Sequence, residues 1–562
     1  MDAETSFGGH CRPLFPASSG GTHKARPKTE GANPLTVQVE SRPRGAEEKS
    51  VSSPYGWLCS LSCVLLIFAI YSVLHITFRI AASPNISQDD VSAMLFTQYL
   101  SLGYTPRQPP LYDWMLWAVQ QVTGPTVSSF LFLKYSLLIA SAGFIYSGAL
   151  RVFSSTLWAT LSALSLLLLY QIGWNIHEGV THTSAMICAI AASFWAFTRL
   201  VENERLADYL VLGLCIGLGS LTKYSYGAFV VSFFGAALLQ PATRRLIFNR
   251  QFLATIAIAI TISLPFIGWV LFNEHDLAAV YASSLQTGAE GHWARASRGV
   301  FLALRSSFSF LLPLLFLVPL MFPGALKAAR EEFGEAMRPS HELDWEKLLL
   351  HMTLISLALL LATAVVAGAS DLRMRYMHPF YLLTPLWLIA MARRGMTRSN
   401  QPLIFVGFSL IFALAVLILR GGYLIIGEPP FCEKCRHMTP YDALAQTIRD
   451  KGFRSGTIIA GYRHTAGNMR ARFPDDRVVA LRRPRVVPPI RTGDRQGQIA
   501  LIWEVQSEGP NLPWGAEEQV ASLGGQIDAE PETIQIPWTH AWRKTGYRQT
   551  EWKLIVIDPT RQ

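Results

Sequence analysis

The feature that most constrains this chain is a series of long apolar runs. A helix of about 18 or more apolar residues is long enough to cross a bilayer, and several runs here approach or exceed that length. Of the 562 residues, 50% are hydrophobic and only 16% are charged. The sequence therefore predicts an all-α polytopic membrane protein with about eleven transmembrane helices, at residues 57–81, 127–150, 154–172, 180–198, 207–222, 225–240, 252–273, 300–322, 346–368, 376–392 and 401–420.

The basic residues predict how these helices are oriented. Short cytoplasmic loops of membrane proteins are enriched in Lys and Arg. Three loops on the predicted side of the N-terminus carry such clusters, namely Arg244, Arg245 and Arg250, then Lys327, Arg330 and Arg338, then Arg393, Arg394 and Arg398. That side is therefore predicted to be cytoplasmic. The same bias explains the net charge of +10 without a nucleic-acid partner.

Three regions follow from this topology. Residues 1–56 are rich in Gly, Pro, Ser, Thr and charges, which predicts a disordered cytoplasmic tail. Residues 57–420 form the transmembrane domain, with a first outer loop at 82–126 that carries interfacial helices. Residues 421–562 are predicted to be a small α/β domain on the outer face, with strands at TIIAGY (457–462), RVVAL (477–481), IALIWEV (499–505), TIQIP (533–537) and WKLIVID (552–558).

The first outer loop carries the densest group of chemically useful residues. An acidic pair, Asp89 and Asp90, directly follows the first apolar run, and a polar stretch then leads to Arg107, Gln108 and two prolines. A carboxylate beside low-dielectric material can be tuned for base chemistry. The pair could also simply cap an interfacial helix beginning near Val91. We expect this loop to form half of an active site.

Several motifs resemble those of a known family. The acidic pair is followed about twenty residues later by Gly-Tyr and Pro-Pro-Leu, and further motifs are GLCIGLGSLTKYSYG (213–227), RMRYMHPFYLL (373–383), FCEKCRHMTPYDALA (431–445) and GYRHTAGNMRARFPD (461–475). Over about residues 57–480 the chain resembles the GT-C membrane glycosyltransferases. The most similar branch groups protein O-mannosyltransferases, aminoarabinose transferases and rhizobial galacturonosyltransferases of lipopolysaccharide. Many relatives have a His or Lys just before the prolines, where this chain has Arg107-Gln108.

The resemblance implies a GT-C fold and a reaction. A sugar, either a hexose or a uronic acid, would pass with inversion from a polyprenyl-phosphate donor to an envelope acceptor such as lipopolysaccharide core or lipid A. The enzyme would lie among the lipids of a bacterial inner membrane, with its active site and outer domain in the periplasm. The resemblance implies neither a cofactor nor a catalytic metal.

The resemblance also implies roles for particular residues. Asp89 or Asp90 would take the acceptor proton, and Asp89 is favoured because it aligns with the leading acid of the family pair. The cations expected to hold the donor phosphate are Arg107, Lys223, Arg373 and Arg375. The residues expected to contact substrate are Tyr104, Gln108, Tyr224, His275 and His378. Basic residues at helix ends also commonly snorkel to lipid headgroups, and a lone interfacial His is more often a hydrogen-bonding residue than a catalyst.

Cys432 and Cys435 form a CxxC pair with His437 close by. This spacing resembles half of a zinc site, but no second ligand pair follows. A disulfide is favoured in an oxidising outer compartment. Free thiols and a metal site are the alternatives.

Two other functions compete with the enzyme. A secondary transporter typically carries ionisable residues at mid-bilayer and repeated halves, whereas the centres of these apolar runs are almost uncharged and no matching halves are evident. A non-catalytic envelope-assembly membrane protein would use the outer domain only to bind polymers.

Overall fold

The computed structural model describes residues 56–57, 59–273, 291–336, 338, 342–426, 435–481, 487–538 and 548–558. All of them lie in one compact unit, Pro54–Gln562. The predicted N-terminal tail, except Gly56, lies outside the described residues.

The helices of the membrane region follow in chain order. They are α1 (Leu61–Ala82), α2 (Asp90–Phe96), α3 (Leu111–Thr123), α4 (Val127–Phe153), α5 (Thr156–Leu168), α6 (Tyr170–Gly173), α7 (His182–Asn203), α8 (Leu206–Ser220), α9 (Tyr226–Leu239), α10 (Pro241–Ile247), α11 (Phe252–Asn273), α12 (His292–Met321), α13 (Ala325–Glu335), α14 (Trp345–Ala367), α15 (His378–Tyr381), α16 (Thr384–Arg394) and α17 (Gln401–Ile426). Short 3-10 turns lie at Asn175–His177 and Met374–Tyr376.

The described helices confirm a multi-pass membrane protein. Seven of them are long and apolar enough to cross a bilayer, namely α1, α4, α7, α11, α12, α14 and α17. The pair Thr156–Leu168 and Tyr170–His177 would make an eighth span, bent by 69°. The predicted span at 154–172 is therefore broken near Leu169.

The predicted count of eleven spans is not confirmed. The segments at 207–222 and 225–240 are helices of 15 and 14 residues, which is short against the roughly 20 residues that usually span a bilayer. The segment at 376–392 is divided between α15 and α16, and a proline lies in the first turn of each. Proline fits the start of a helix but breaks its interior.

Helix α7 lies inside the membrane domain, whereas α11 is mostly exposed. Phe197 of α7 packs edge-to-face against Phe233 of α9 at 4.9 Å between ring centroids. Arg199 and Asp208 form a 2.9 Å ion pair between the far end of α7 and α8. A helix packed on most sides has a well-fixed N-terminus, and the first outer loop docks beside that end of α7.

The first outer loop is anchored to the turn between α8 and α9. The amide of Leu111 donates to the carbonyl of Leu221 at 3.0 Å, and the Tyr224 hydroxyl donates to the carbonyl of Pro106 at 2.8 Å. Gly103 packs so closely against the ring of Trp269 that an added Cβ would overlap it. These contacts bring the loop over Lys223.

The C-terminal region is an α/β domain, as predicted. Its elements are α18 (Tyr441–Asp450), β1 (Gly456–Ala460), α19 (Arg463–Arg472), β2 (Arg477–Ala480), β3 (Gln498–Glu504), α20 (Val505–Glu508), α21 (Ala516–Ala521), β4 (Glu532–Pro537) and β5 (Gln549–Ile557), with 3-10 turns at Arg436–Met438 and Thr492–Arg495. The five strands match the predicted segments. Their order is β2-β1-β3-β5-β4, with β1, β2 and β3 parallel and β5 antiparallel to its two neighbours.

Both faces of this sheet are covered. Ala500 and Ile502 of β3 face a core that includes α18 and α19, whereas Leu501 and Trp503 face a second core with α21. This alternation is expected because successive side chains of a strand point to opposite faces. Helices on both faces leave the ends of the parallel strands open.

The outer domain is hydrogen-bonded to the first outer loop. Asn468 of α19 accepts from the amide of Ile86 and donates to its carbonyl, both at 2.9 Å. Gln98 pairs in the same way with the backbone of Val478 at 2.9 Å. Leu95 of α2 is buried in the core under α18 and α19. The acidic pair therefore lies on a segment bonded to the outer domain on both sides.

Candidate active site

The two members of the acidic pair occupy different environments. Asp89 is exposed at the N-cap position of α2, and its side chain makes no capping hydrogen bond among the described residues. The capping alternative is therefore not seen for Asp89. Asp90 is buried in the first turn of α2.

Asp90 faces buried cations. Its Oδ2 lies 4.0 Å from Nζ of Lys134, whose side chain is 1% exposed, and Arg79 is close enough to act on it electrostatically. Burial raises the pKa of Asp90 to about 6, although Lys134 opposes the rise. Asp90 is thus a buried counter-ion, whereas Asp89 is open to solvent.

Gly179 supports the backbone before the acidic pair. An added Cβ at Gly179 would lie 2.5 Å from Cβ of Gln88 and 3.0 Å from the amide nitrogen of Asp89. Gln88 itself has a left-handed backbone with φ of 57°, which is uncommon outside glycine. The tight packing on Gly179 therefore fixes the direction in which the chain enters α2.

Lys223, in the turn between α8 and α9, is the central cation of the site. Its Nζ donates to Oγ1 of Thr183 at 3.1 Å and lies 5.7 Å from the ring centroid of Tyr376. Burial and the charge of Arg375 lower the pKa of Lys223 to about 8, and Asp89 acts in the opposite direction. Asp89 and Arg375 are therefore both close enough to Lys223 to act on it electrostatically, and we call these three residues the Lys223 cluster.

The predicted arginines differ in their surroundings. Arg375 is exposed and donates to the Tyr376 hydroxyl at 2.8 Å. Arg373 is paired with Asp371 at 2.5 Å, so its charge is already compensated. Arg107 is exposed in the turn where Thr105 and Gln108 form an isolated bridge. The structure joins Lys223 and Arg375, while Arg373 is bound elsewhere.

Tyr104 and Tyr224, both expected to contact substrate, donate hydrogen bonds to backbone carbonyls of the first outer loop. The Tyr104 hydroxyl donates to the carbonyl of Tyr99 at 2.8 Å. Tyr224 anchors the first loop through Pro106, as described above. Gln108 is half-buried beside them.

His378 is buried, and its Nδ1 lies 3.1 Å from the carbonyl oxygen of Arg375. Burial, followed by the charge of Lys223, lowers the pKa of His378 to about 3, so the imidazole is neutral. His275 lies outside the described residues.

Two pairs of charged or titratable residues in this region were not predicted from the sequence. Asp113 of α3 lies 3.6 Å from Nε2 of His182 at the start of α7, and both side chains are buried. Arg420 of α17 forms a 2.9 Å ion pair with Glu178. The only sequence signal for Arg420 was a charge at the end of an apolar run, and Asp113 had none beyond its position after the two prolines.

The structure describes one member of the cysteine pair. Cys435 is disulfide-bonded, and Cys432 lies outside the described residues. Cys59, Cys63, Cys188 and Cys215 are free thiols. The disulfide expectation therefore agrees with the state of Cys435.

Comparisons with known proteins agree with the resemblance seen in the sequence. The family model for dolichyl-phosphate-mannose-protein mannosyltransferase matches residues 107–269. The lipopolysaccharide core galacturonosyltransferase RgtA of Rhizobium johnstonii is 27% identical over 78% of this chain and 86% of its own length. Its relative RgtB, from the same organism, is 25% identical over 87% of this chain and 96% of its own length.

A solved structure shares the fold. ArnT from Cupriavidus metallidurans, bound to undecaprenyl phosphate, superimposes with a TM-score of 0.54 over 89% of this chain and 98% of that one, at 11% identity. These comparisons do not favour the transporter or assembly-protein alternatives. The family match, the two rhizobial relatives and the shared fold together establish that the chain is a membrane glycosyltransferase of the GT-C type.

Proposed function

We propose that this enzyme transfers a sugar, most simply a uronic acid, from a polyprenyl-phosphate donor to the lipopolysaccharide core or lipid A. The reaction takes place at the periplasmic face of a bacterial inner membrane. The observation that carries the proposal is the half-buried Lys223 in the turn between α8 and α9, on which both exposed Asp89 and Arg375 act electrostatically. Both rhizobial relatives are galacturonosyltransferases of lipopolysaccharide core, which supports both the sugar and the acceptor class. The undecaprenyl phosphate bound to ArnT supports the donor class.

The cluster suits a single displacement. Asp89 takes the proton of the acceptor hydroxyl while the acceptor oxygen forms a bond to the anomeric carbon. The bond from that carbon to the phosphate oxygen breaks, and polyprenyl phosphate leaves with an additional negative charge. Lys223 and Arg375 stabilise that charge. The product has the inverted configuration, and no metal or cofactor is part of this proposal.

We assign Asp90 a different role. Its carboxylate is turned to Lys134 and is buried, so an acceptor hydroxyl has no open approach to it. Asp90 stabilises the cations beneath α2, and Asp89 remains the base.

The test is a transfer assay with the purified full-length protein in detergent. Polyprenyl-phosphate sugars and rough lipopolysaccharide are supplied, and the product is analysed by mass spectrometry for a hexose- or uronate-sized gain. We expect the wild type to add one sugar and Asp89→Asn to lose at least about 100-fold in rate, as loss of a general base typically causes. Glu202→Gln is the matched control because Glu202 is an exposed carboxylate paired with Arg151. Full activity in Asp89→Asn would show that the base is misassigned, and no transfer from any donor by the wild type would contradict the function.

A further inference from the structure

The outer domain contains a cavity of about 470 Å³ at the carboxyl ends of its parallel strands. Tyr462 follows β1, and Gln506 follows β3, and both line this cavity. The chain passes from β1 to β2 on one side and later returns to β3 on the other side of β1. The cavity thus lies where the strand order reverses, which is the position at which open α/β sheets bind ligands.

The chemistry of this cavity suits a sugar with a negative charge. Tyr462 and Trp538 provide aromatic rings, which present an apolar body together with a polar edge. Arg548 lies 5.4 Å from the ring centroid of Trp538, and Arg436 also lines the wall. Glu504 is the one carboxylate among the described residues that line this cavity. Two guanidinium groups against one carboxylate leave an excess of positive charge, and guanidinium forks match carboxylate and phosphate oxygens.

A second cavity, of about 250 Å³, lies where the outer domain meets the membrane domain. Its lining includes three arginines, Arg79, Arg420 and Arg436, and Glu178 pairs with Arg420 alone among the described ion pairs. Gln88, the residue before Asp89, also lines it. This junction cavity is therefore basic and opens beside the candidate base.

Arg436 belongs to the walls of both cavities. Its Nη1 donates to Nε2 of His464 at 2.8 Å, and its charge acts on Glu504. The adjacent Cys435 is disulfide-bonded, which restrains the backbone at this point. Arg436 is thus common to the wall of the outer-domain cavity and to that of the junction cavity, which Gln88 also lines.

A short stretch of chain, residues 178–183, links the junction cavity to the Lys223 cluster. Glu178 lines the junction cavity, Gly179 packs under Gln88, and Thr183 contacts Lys223. Residues 178–183 therefore run from the wall of the junction cavity to Lys223, and Gly179 packs on the segment that carries Asp89. A single displacement requires the base beside the acceptor oxygen and the cations beside the leaving phosphate, with the anomeric carbon between those two oxygens.

We propose that the two cavities form one binding cleft for an anionic acceptor glycan. The outer-domain cavity holds sugars remote from the reacting hydroxyl, and the junction cavity holds an acidic group next to Asp89. This inference rests on the proposed function, because it assigns the acceptor of the same reaction to these walls.

The test uses Tyr462→Ala and Arg548→Gln in the full-length protein. Deacylated core oligosaccharide from rough lipopolysaccharide is titrated into each protein by calorimetry, and transfer to intact rough lipopolysaccharide is measured in parallel. We expect each substitution to weaken oligosaccharide binding and to raise KM for the acceptor about 10-fold, as loss of a charge-assisted hydrogen bond or a stacked ring typically does. The kcat and the KM for the donor should be unchanged. Arg454→Gln is the control, because Arg454 is exposed just before the amino end of β1, whereas the cavity lies at the carboxyl ends of the parallel strands.

The outcomes separate this cleft from the proposed function. If the wild type transfers sugar and both variants bind oligosaccharide as tightly as it does, the cleft is refuted and the function stands. If the wild type binds no oligosaccharide, the cleft is also refuted. Weakened binding in the variants supports the cleft even if no donor tested is consumed, which would count against the function alone. Gln506→Ala, at an exposed residue, serves as a further cleft variant if Tyr462→Ala does not fold.

Discussion

The pH dependence of Lys223 provides a sharp test of the active-site cluster. The pKa of this ammonium is lowered from 10.5 to about 8, chiefly by burial and then by Arg375. The charged form, which stabilises the leaving phosphate, is therefore complete well below pH 8 and is lost as pH rises through that value. Half of the lysine is charged at pH 8 and about a tenth at pH 9, so kcat/KM should fall about 5-fold between these values, to about a tenth of its low-pH plateau, and further beyond.

The assay is the initial rate of sugar transfer by the purified protein at low donor concentration, from pH 6 to pH 10. Lys223→Arg should keep part of the activity and lose this alkaline fall, because a guanidinium stays charged throughout the range. Arg375→Gln should lower the rate but move the fall to higher pH, because Arg375 is one cause of the lowered pKa. If Lys223→Arg shows the same fall as the wild type, Lys223 is not the titrating cation and the reasoning is refuted.

Three further substitutions test how the site is held together. Gly179→Ala should cost on the order of 1–3 kcal/mol and most of the transfer rate, because the new methyl group would overlap Gln88; Gly227→Ala, which meets no atom within 4 Å, is its control in thermal unfolding and activity assays. Tyr224→Phe removes the hydrogen bond to Pro106 and should cost about 1 kcal/mol, seen as a lower Tm with a raised KM for the donor; an unchanged KM would show that this bond does not position the loop. Cys435→Ser should lower Tm by breaking the disulfide, and a Tm equal to that of the wild type under non-reducing conditions would contradict a stabilising role.

The sequence predicted the features that depend on local pattern. Apolar length identified the membrane helices, and alternating β-rich runs identified all five strands of the outer domain. The loop with Asp89 and Asp90 stood out because two acids directly follow an apolar run. The sequence did not show which of these two neighbouring acids is exposed. That depends on Lys134, which lies far along the chain and pairs with Asp90.

The remaining features depend on tertiary packing. Arg420 reaches Glu178 across 242 residues of chain, and no local pattern predicts such a pair. The predicted number of spans is not confirmed, because apolar composition continues through α8 and α9, which are each shorter than a typical span. Arg373 resembled Arg375 in sequence, but Asp371 compensates only the former among the described ion pairs.

The paired bonds of Asn468 with Ile86 and of Gln98 with Val478 have a consequence for engineering. An exchange of outer domains between related enzymes, made at the end of α17, would leave the segment around α2 facing a foreign surface. Residues 84–98 and the outer domain therefore form one exchangeable module, although more than 300 residues separate them in the chain. A chimaera that transfers both pieces should retain turnover, and one that transfers the domain alone should lose it.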